Sequence, residues 1–148
     1  METLNLLHYT KMILGKKAEE VTNLGQETQD LIDAMITTCN VSGGLGLSAP
    51  QVGINQQIFV YRKKATSAIY KAVINPSIII SSGKTNSLEE GCLSVPGRRV
   101  NIKRFKIFKL THWDRTGKVV QTKASNKMES IILQHEFDHL MGLTILDR

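Results

Sequence analysis

Residues 126–142 read NKMESIILQHEFDHLMG and contain the start signal, the stop signal and the inward face of a helix. Asn126 is a candidate N-cap, Glu129 completes a capping-box pattern with it, and Gly142 suits the left-handed position after a helix. At helical spacing, one face that we expect to point inward contains Met128, Ile131, Ile132, His135 and His139. Two histidines would therefore lie in apolar surroundings.

His135 and His139 are four residues apart, so in a helix both imidazoles point to the same side and can bind one divalent ion. Glu136 would face water on that ion and could act as its base. A catalytic site of this kind usually has three protein ligands and an open position, and the candidate third is Cys92, in the segment EGCLS at 90–94. Unrelated metallohydrolases share the histidine pattern, so it does not identify the reaction.

The two cysteines receive different interpretations. A cysteine is typically a small buried hydrophobe, and we assign that role to Cys39 on a predicted helix. Cys92 follows Gly91, which allows close backbone approach, and it precedes Pro96 and Gly97, which predict a turn. A thiolate on such a rigid segment is a strong ligand for a borderline-soft divalent ion.

Composition limits the class of protein. The 148 residues are 41% hydrophobic, which fits one compact domain over 1–148. Neither cysteine lies in a CxxC pair and the first residues lack a secretory leader pattern, so we expect a reducing cytoplasm. We expect a soluble protein, because no run approaches the roughly 20 apolar residues that span a bilayer.

The net charge of +6 suggests affinity for a polyanionic surface without saying which one. The densest basic run, residues 98–109, alternates with Val, Ile and Phe. This alternation favours a strand with one solvated face over a nucleic-acid patch.

Other segments predict an α+β fold with an N-terminal amphipathic helix, antiparallel β-sheets and the C-terminal helix. The first helix should run from Thr22 or Asn23 to about Cys39. Its inward residues at helical spacing are Leu24, Leu31, Ile32, Met35, Ile36 and Cys39. Strands are predicted at 57–61, 68–74, 77–81, 106–113 and 118–123, with a hairpin turn at 114–117.

The segment 44–51, GLGLSAPQ, is not a phosphate loop, because it lacks a third glycine and a Gly-Lys-Ser/Thr ending and a strand is predicted after it. It can bring backbone groups close to a ligand. The side-chain amide of Gln51 would be a hydrogen-bond donor suited to a developing oxyanion.

These three segments, in this order, resemble the peptide deformylase motifs GxGxAAxQ, EGCLS and HExDH, at 44–51, 90–94 and 135–139. One departure is Ser48, where the family usually has Ala, and we expect it to affect packing more than chemistry. Residues 4–21 match only loosely. The chain stops six residues after Gly142, similar to short, virus-encoded deformylases without a C-terminal extension.

The resemblance implies removal of the N-formyl group from the initiator methionine of nascent polypeptides, with release of formate. It implies that Cys92, His135 and His139 bind the metal and that Glu136 is general base and then general acid. It also implies that Gln51 and the Leu93 N–H hold the formyl oxygen. The family is associated with Fe(II), and the same ligands suit Zn(II), Ni(II) or Co(II).

Further residues receive roles on the same basis. The methionine pocket and substrate-binding positions would comprise Leu45, Gly46, Leu88, Gly91, Met128, Ile131 and Ile132. Arg104 would form a supporting ion pair with Asp138 or Glu90, the alternative being a solvated arginine. We expect a monomer that meets nascent peptides, with contact to the ribosome surface through its basic face, and with no membrane or specific nucleic-acid partner.

Two other functions remain open at this point. One is a peptidase that cleaves internal amide bonds with the same helix, which would require a wide cleft and a third ligand other than Cys92. The other is a basic nucleic-acid or ribosome-binding module with a structural metal. In such a module Glu136 and Gln51 would have no role.

Overall fold

The computed structural model describes residues 3–9, 15–87 and 89–148. Within these residues lie two α-helices, α1 (Gln26–Val41) and α2 (Lys127–Leu140). The strands are β1 (Gly46–Ser48), β2 (Ile58–Tyr61), β3 (Lys71–Asn86), β4 (Glu90–Cys92), β5 (Val95–Val100), β6 (Lys103–Trp113) and β7 (Val119–Lys123). Single 3₁₀ turns occupy Ala49–Val52 and Ile145–Asp147. Neither α-helix of the described part is long and apolar enough to cross a membrane.

The strands form two antiparallel sheets, which confirms the predicted α+β class. Five strands pair in the order β1-β2-β3-β6-β7, and β4 pairs with β5 alone. The predicted β6–β7 hairpin is present, and the carboxylate of Asp114 accepts hydrogen bonds from the backbone N–H groups of Thr116 and Lys118. Gly117 closes the turn with a φ of 88°, which favours glycine.

The prediction of separate strands at 68–74 and 77–81 is wrong, because β3 is one continuous strand. Its pairing with β6 shifts register between Ile74 and Ser77, which accommodates Pro76 without a ladder N–H. Asn75 adopts a φ of 52° at this bulge, and its side-chain amide bonds both backbone groups of Val21. A bulge therefore continues the strand where the sequence suggested a break.

Helix α1 begins at Gln26, later than predicted. The side chain of Asn23 accepts a hydrogen bond from the N–H of Gly25 at 2.7 Å, a turn that precedes the helix instead of capping it. Gly25 is the N-cap. Of the six apolar residues assigned to the inward face, Ile32, Met35 and Cys39 are buried and the others are partly buried.

The two helices pack on opposite faces of β2, whose residues are all buried. Alternate side chains of a strand point to opposite faces, so Phe59 and Tyr61 join a core with α2 while Ile58 and Val60 join a core with α1. The α2 core also contains Val73, Phe108, Leu110, Ile132, Leu133 and Leu140. Strand β2 is therefore the common support of both helices.

The ends of α2 follow the sequence prediction in part. Asn126 caps the helix by accepting the N–H of Glu129 at 2.9 Å, but the Glu129 carboxylate accepts from Ser125 and not from Asn126. At the other end Leu143 N–H donates to Asp138 O, and Gly142 has a φ of 82°. A Cβ on Gly142 would lie 2.9 Å from the backbone of Lys16, so glycine is required for space as well.

Candidate active site and metal centre

Cys92 ends β4 and is presented by a tight reversal of the chain. The turn lies at Leu93 and Ser94, and Cys92 pairs with Val95 across it. Pro96 and Gly97 were predicted to form this turn. They instead lie within β5, in the stretch where the pairing with β4 shifts register. The extra residues of β5 in this bulge lie opposite the step from Gly91 to Cys92.

Three potential ligand atoms converge from β4 and α2. The Sγ of Cys92 lies 3.3 Å from Nε2 of His139, which lies 3.2 Å from Nε2 of His135. All three atoms are within 4.8 Å of one another. Both histidines are buried, and Cys92 is partly buried.

These separations fit one divalent ion. Ligand bonds of about 2.0–2.3 Å around a tetrahedral ion separate neighbouring ligand atoms by roughly 3.3–3.6 Å. Two imidazole nitrogens and a thiolate sulfur are also a ligand set suited to a borderline-soft metal. The residues present therefore fit the ion that the sequence suggested.

A chain of ion pairs, buried except at its last member Arg148, holds His135 in place. Its Nδ1 shares a hydrogen bond with Glu90 Oε1 at 2.6 Å, which leaves Nε2 facing the other ligand atoms. Arg104 donates two hydrogen bonds to Glu90, at 2.5 and 3.1 Å, and one to Asp138 at 2.6 Å. Arg148 closes the chain by donating to both oxygens of Asp138.

Arg104 therefore forms ion pairs with Glu90 and with Asp138, the two partners proposed for it. The interpretation of the basic run as a solvated face is wrong for this residue, which is only 4% exposed. Burial acts to raise the pKa of Glu90, but hydrogen bonds from His135 and Arg104 outweigh it and lower that pKa to about 2. Glu90 is therefore a carboxylate at neutral pH.

Glu136 lies beside the ligand atoms and is 3% exposed. Its Oε2 is 3.9 Å from Nε2 of His135, and its buried Oε1 has no hydrogen-bond partner among the described residues. Burial raises the pKa of this carboxyl to about 7, which suits a group that exchanges protons near neutral pH. A Cβ on Gly46 would lie 2.7 Å from Oε2, so this glycine makes room for the carboxylate.

The side chain of Gln51 is fixed at both ends. Its Oε1 accepts hydrogen bonds from the N–H of Ser48 at 3.0 Å and the hydroxyl of Ser48 at 3.1 Å. Its Nε2 donates to the Ser94 hydroxyl at 3.1 Å and to Cys92 Sγ at 3.6 Å. Ser48, expected to affect packing more than chemistry, therefore orients the amide of Gln51, a role that the motif comparison missed.

A cavity of about 840 Å³ leads to these groups. Of the predicted substrate-binding residues, those that line it are Leu45, Gly46, Gly91, Met128, Ile131 and Ile132. Leu88 lies outside the described residues. Met128 was expected to point inward but is 52% exposed, because it borders the cavity and not the sheet.

Three basic residues at the cavity were missed as site residues: Arg98, Arg99 and Lys127. The signal was present, since Arg98 and Arg99 begin the basic run, but the strand pattern assigned them to solvent. Cys39 lies outside the lining. Burial raises the pKa of its thiol to about 12, and its Sγ donates to Gly44 O at 3.3 Å, as suits a structural cysteine.

Comparison with known proteins gives one consistent result. A family model described as "Polypeptide deformylase" matches residues 3–148. The peptide deformylase of Thermodesulfovibrio yellowstonii is 38% identical, over 100% of this chain and 90% of that protein. The peptide deformylase of Borreliella burgdorferi is 36% identical, over 97% of this chain and 86% of its own length.

Solved structures agree with these sequences. The crystal structure of the Thermotoga maritima peptide deformylase superposes with a TM-score of 0.93 at 34% identity, over 100% of this chain and 98% of that one. The Legionella pneumophila enzyme gives a TM-score of 0.93 at 31% identity, over 98% and 85%. The chain therefore belongs to the polypeptide deformylase family, the metal-dependent hydrolases that remove the N-formyl group from nascent peptides.

Proposed function

We propose that residues 1–148 act as one catalytic domain that removes the formyl group from the initiator methionine, with Glu136 as the acid–base residue. One observation carries the proposal. A buried carboxylate with one oxygen that has no hydrogen-bond partner among the described residues lies next to three converging ligand atoms, at a cavity whose lining is partly apolar. Such a set is suited to activate water against a small carbonyl group.

The ligands we assign are Cys92, His135 and His139, with Fe(II) as the native ion and Zn(II), Ni(II) or Co(II) as alternatives. When bound, the ion supplies Lewis acidity, which lowers the pKa of water and polarises a carbonyl oxygen. Glu90 supports this assignment, because its contact with Nδ1 fixes the ring of His135.

Glu136 would accept a proton from the attacking water through Oε1, which has no hydrogen-bond partner in the described part of the chain. With a pKa raised to about 7 by burial, the same carboxyl can return that proton to the departing amine. Formate and a free α-amine are the products. One residue thus serves as base and then as acid.

Gln51 and the backbone N–H of Leu93 would donate hydrogen bonds to the formyl oxygen as negative charge develops on it. Support comes from the two contacts of Ser48 with Gln51 Oε1, which keep the NH₂ group directed towards Cys92. A donor fixed in advance needs no reorganisation during the reaction.

The methionine side chain would occupy the apolar part of the cavity at Leu45, Met128, Ile131 and Ile132. The substrate backbone would lie along Gly46 and Gly91. β1 is an edge strand of the five-stranded sheet, so its outer side can pair with an extended peptide. We also propose that the protein is a monomer and that its basic run contacts the ribosome surface.

The two alternatives have less support. A peptidase with this helix would use a third ligand other than Cys92, yet its Sγ is 3.3 Å from His139. A binding module with a structural metal would have no use for a buried carboxylate oxygen that lacks a partner among the residues described, which costs free energy.

A formate-release assay on formyl-Met-Ala-Ser tests the function. The protein is prepared without oxygen, loaded separately with Fe(II), Zn(II), Ni(II) or Co(II), and each product is quantified. We expect one formate and one free amine per substrate, with no cleavage of internal amide bonds. Folded, metal-loaded protein that releases no formate with any ion would refute the proposal.

A further inference from the structure

Arg62 follows β2 and is 8% exposed. Its guanidinium lies 5.3 Å from the ring centre of Tyr70, and its Nη1 donates one long hydrogen bond, 3.4 Å, to Ser67 O. Its Nε is buried and has no hydrogen-bond partner among the described residues. Most of the five N–H donors of this side chain therefore have no acceptor among the residues that the structure describes.

Arg62 forms no ion pair with a carboxylate among the described residues. The cleft beside it contains no carboxylate among its described lining residues. The Tyr70 ring that Arg62 faces is neutral at pH 7, because burial raises the pKa of its hydroxyl, and burial likewise raises the pKa of the Cys39 thiol and keeps it neutral. A buried cation with one long hydrogen bond and no ion-pair partner among the described residues is costly, which indicates that an anion completes the site.

The cleft has room for such an anion. It has a volume of about 410 Å³ and lies between the last turns of α1 and the segment after β2. Arg62 shares it with polar side chains of Asn40, Thr66 and Ser67. It is separate from the active-site cavity, although the N–H of Arg62 donates to O of Leu45, which lines that cavity.

We propose that this cleft binds a small free oxyanion, inorganic phosphate or a simple carboxylate, with the Arg62 guanidinium as its main donor. Planar guanidinium groups form paired, charge-assisted hydrogen bonds with both kinds of anion. The proposal does not depend on the catalytic roles assigned above, because its test measures binding and not turnover.

Isothermal titration of the metal-loaded protein with phosphate, formate or chloride, at constant ionic strength, tests the proposal. We expect one phosphate or formate per chain with a dissociation constant on the order of 1 mM, and no saturable chloride binding. Arg62→Gln should weaken oxyanion binding about tenfold or more, since it removes charge-assisted hydrogen bonds. The matched control Lys64→Gln removes an exposed charge from the same segment and should leave the affinity within about twofold.

Ser67→Asp provides a second test that does not require Arg62→Gln to fold. It places a carboxylate in the cleft, so we expect a higher melting temperature without added anion and weaker phosphate binding. A wild-type protein with no saturable oxyanion site overturns the proposal. So does equal binding by folded Arg62→Gln, or Ser67→Asp that neither stabilises the protein nor weakens binding.

Discussion

The two α-helices pack against the same strand but bury different chemistry. Helix α1 buries Ile32, Met35, Thr38 and Cys39, so its inward face is mainly apolar. Helix α2 buries ten residues, and seven of them are polar or charged. Buried polar groups are tolerable only where hydrogen bonds satisfy them, and on α2 nearly every one has such a partner.

The buried atoms without hydrogen-bond partners and the two cysteines distinguish positions that stabilise the fold from positions suited to catalysis. Two buried side-chain atoms of α2 have no hydrogen-bond partner among the described residues, Glu136 Oε1 and His139 Nδ1, and both belong to residues of the candidate active site. Cys39 of α1 is fully buried and neutral, whereas Cys92, outside both helices, contacts His139. We infer that α1 and its cysteine stabilise the fold and that α2 and Cys92 perform the reaction.

Among substitutions on α2, Glu136→Gln should cause the largest loss of activity. The amide keeps the shape but cannot accept a proton, so we expect kcat to fall by about 10²–10⁴ with metal content unchanged. Formate release, normalised to measured metal, checks this. Glu129→Gln is the matched control, because Glu129 is also buried on α2 but bonds Tyr61 and Ser125, and it should keep kcat within about threefold. Equal losses in both variants would argue against a special role for Glu136.

Asp138→Asn and Asp33→Asn compare an ion pair on each helix. Asp138 is buried between Arg104 and Arg148, so its loss should lower the free energy of unfolding by about 3 kcal/mol or more. Asp33 on α1 pairs with Arg115 where both side chains are more than a third exposed, so its loss should cost about 0.5 kcal/mol. Urea unfolding of both variants measures the two values. Similar costs would mean that the α2 pair is as solvated as the α1 pair.

The metal-free protein should show the burial of Glu136 in its pH dependence. Burial raises the pKa of this carboxyl from 4.5 to about 7, so between these values the native state binds more protons than the unfolded state. The Glu136 contribution to stability therefore decreases as pH rises from about 4.5 to about 7, by an amount on the order of 3 kcal/mol. Unfolding of wild type and Glu136→Gln across this range gives the difference. A difference independent of pH would contradict the raised pKa.

The smallest effect concerns the exposed side of α2 at the cavity. Formyl-Met peptides should be preferred over formyl-Gly peptides by roughly tenfold to a hundredfold in kcat/KM, because burial of a methionine side chain contributes about 1.5–3 kcal/mol. Ile131→Ala should reduce this preference, while Leu31→Ala on α1 should not, since only Ile131 lines the cavity. Equal rates on both peptides would contradict the pocket.

Local signals made much of the fold predictable. The hairpin turn at 114–117, the cap at Asn126 and the left-handed Gly142 each depend on a short stretch of sequence, and each lies where it was expected. The bulge in β3 and the late start of α1 depend on contacts with Val21 and Gly25 that no spacing rule contains. Residue propensities therefore failed to predict the structure where distant or competing hydrogen bonds determine the backbone conformation.

The site followed a similar division. The convergence of His135 and His139 follows from helix geometry, and the glycine before Cys92 and the turn predicted after it made Cys92 the candidate third ligand. The chain from Arg148 through Asp138 to Arg104 crosses three elements, so spacing alone could not reveal it. Spacing alone could not reveal the contacts of Gln51 either. Its Oε1 accepts from Ser48, and its Nε2 donates to Ser94, which lies in a different turn.

Metal analysis of two cysteine variants tests the central claim most directly. Cys39→Ala and Cys92→Ala are purified in parallel, loaded with one ion under anaerobic conditions and measured for metal per chain. We expect one ion per chain in wild type and in Cys39→Ala, and loss of stoichiometric binding in Cys92→Ala, because two histidines cannot hold a catalytic ion tightly. A full equivalent of metal in Cys92→Ala would remove Cys92 from the ligand set and contradict the division between the two cysteines.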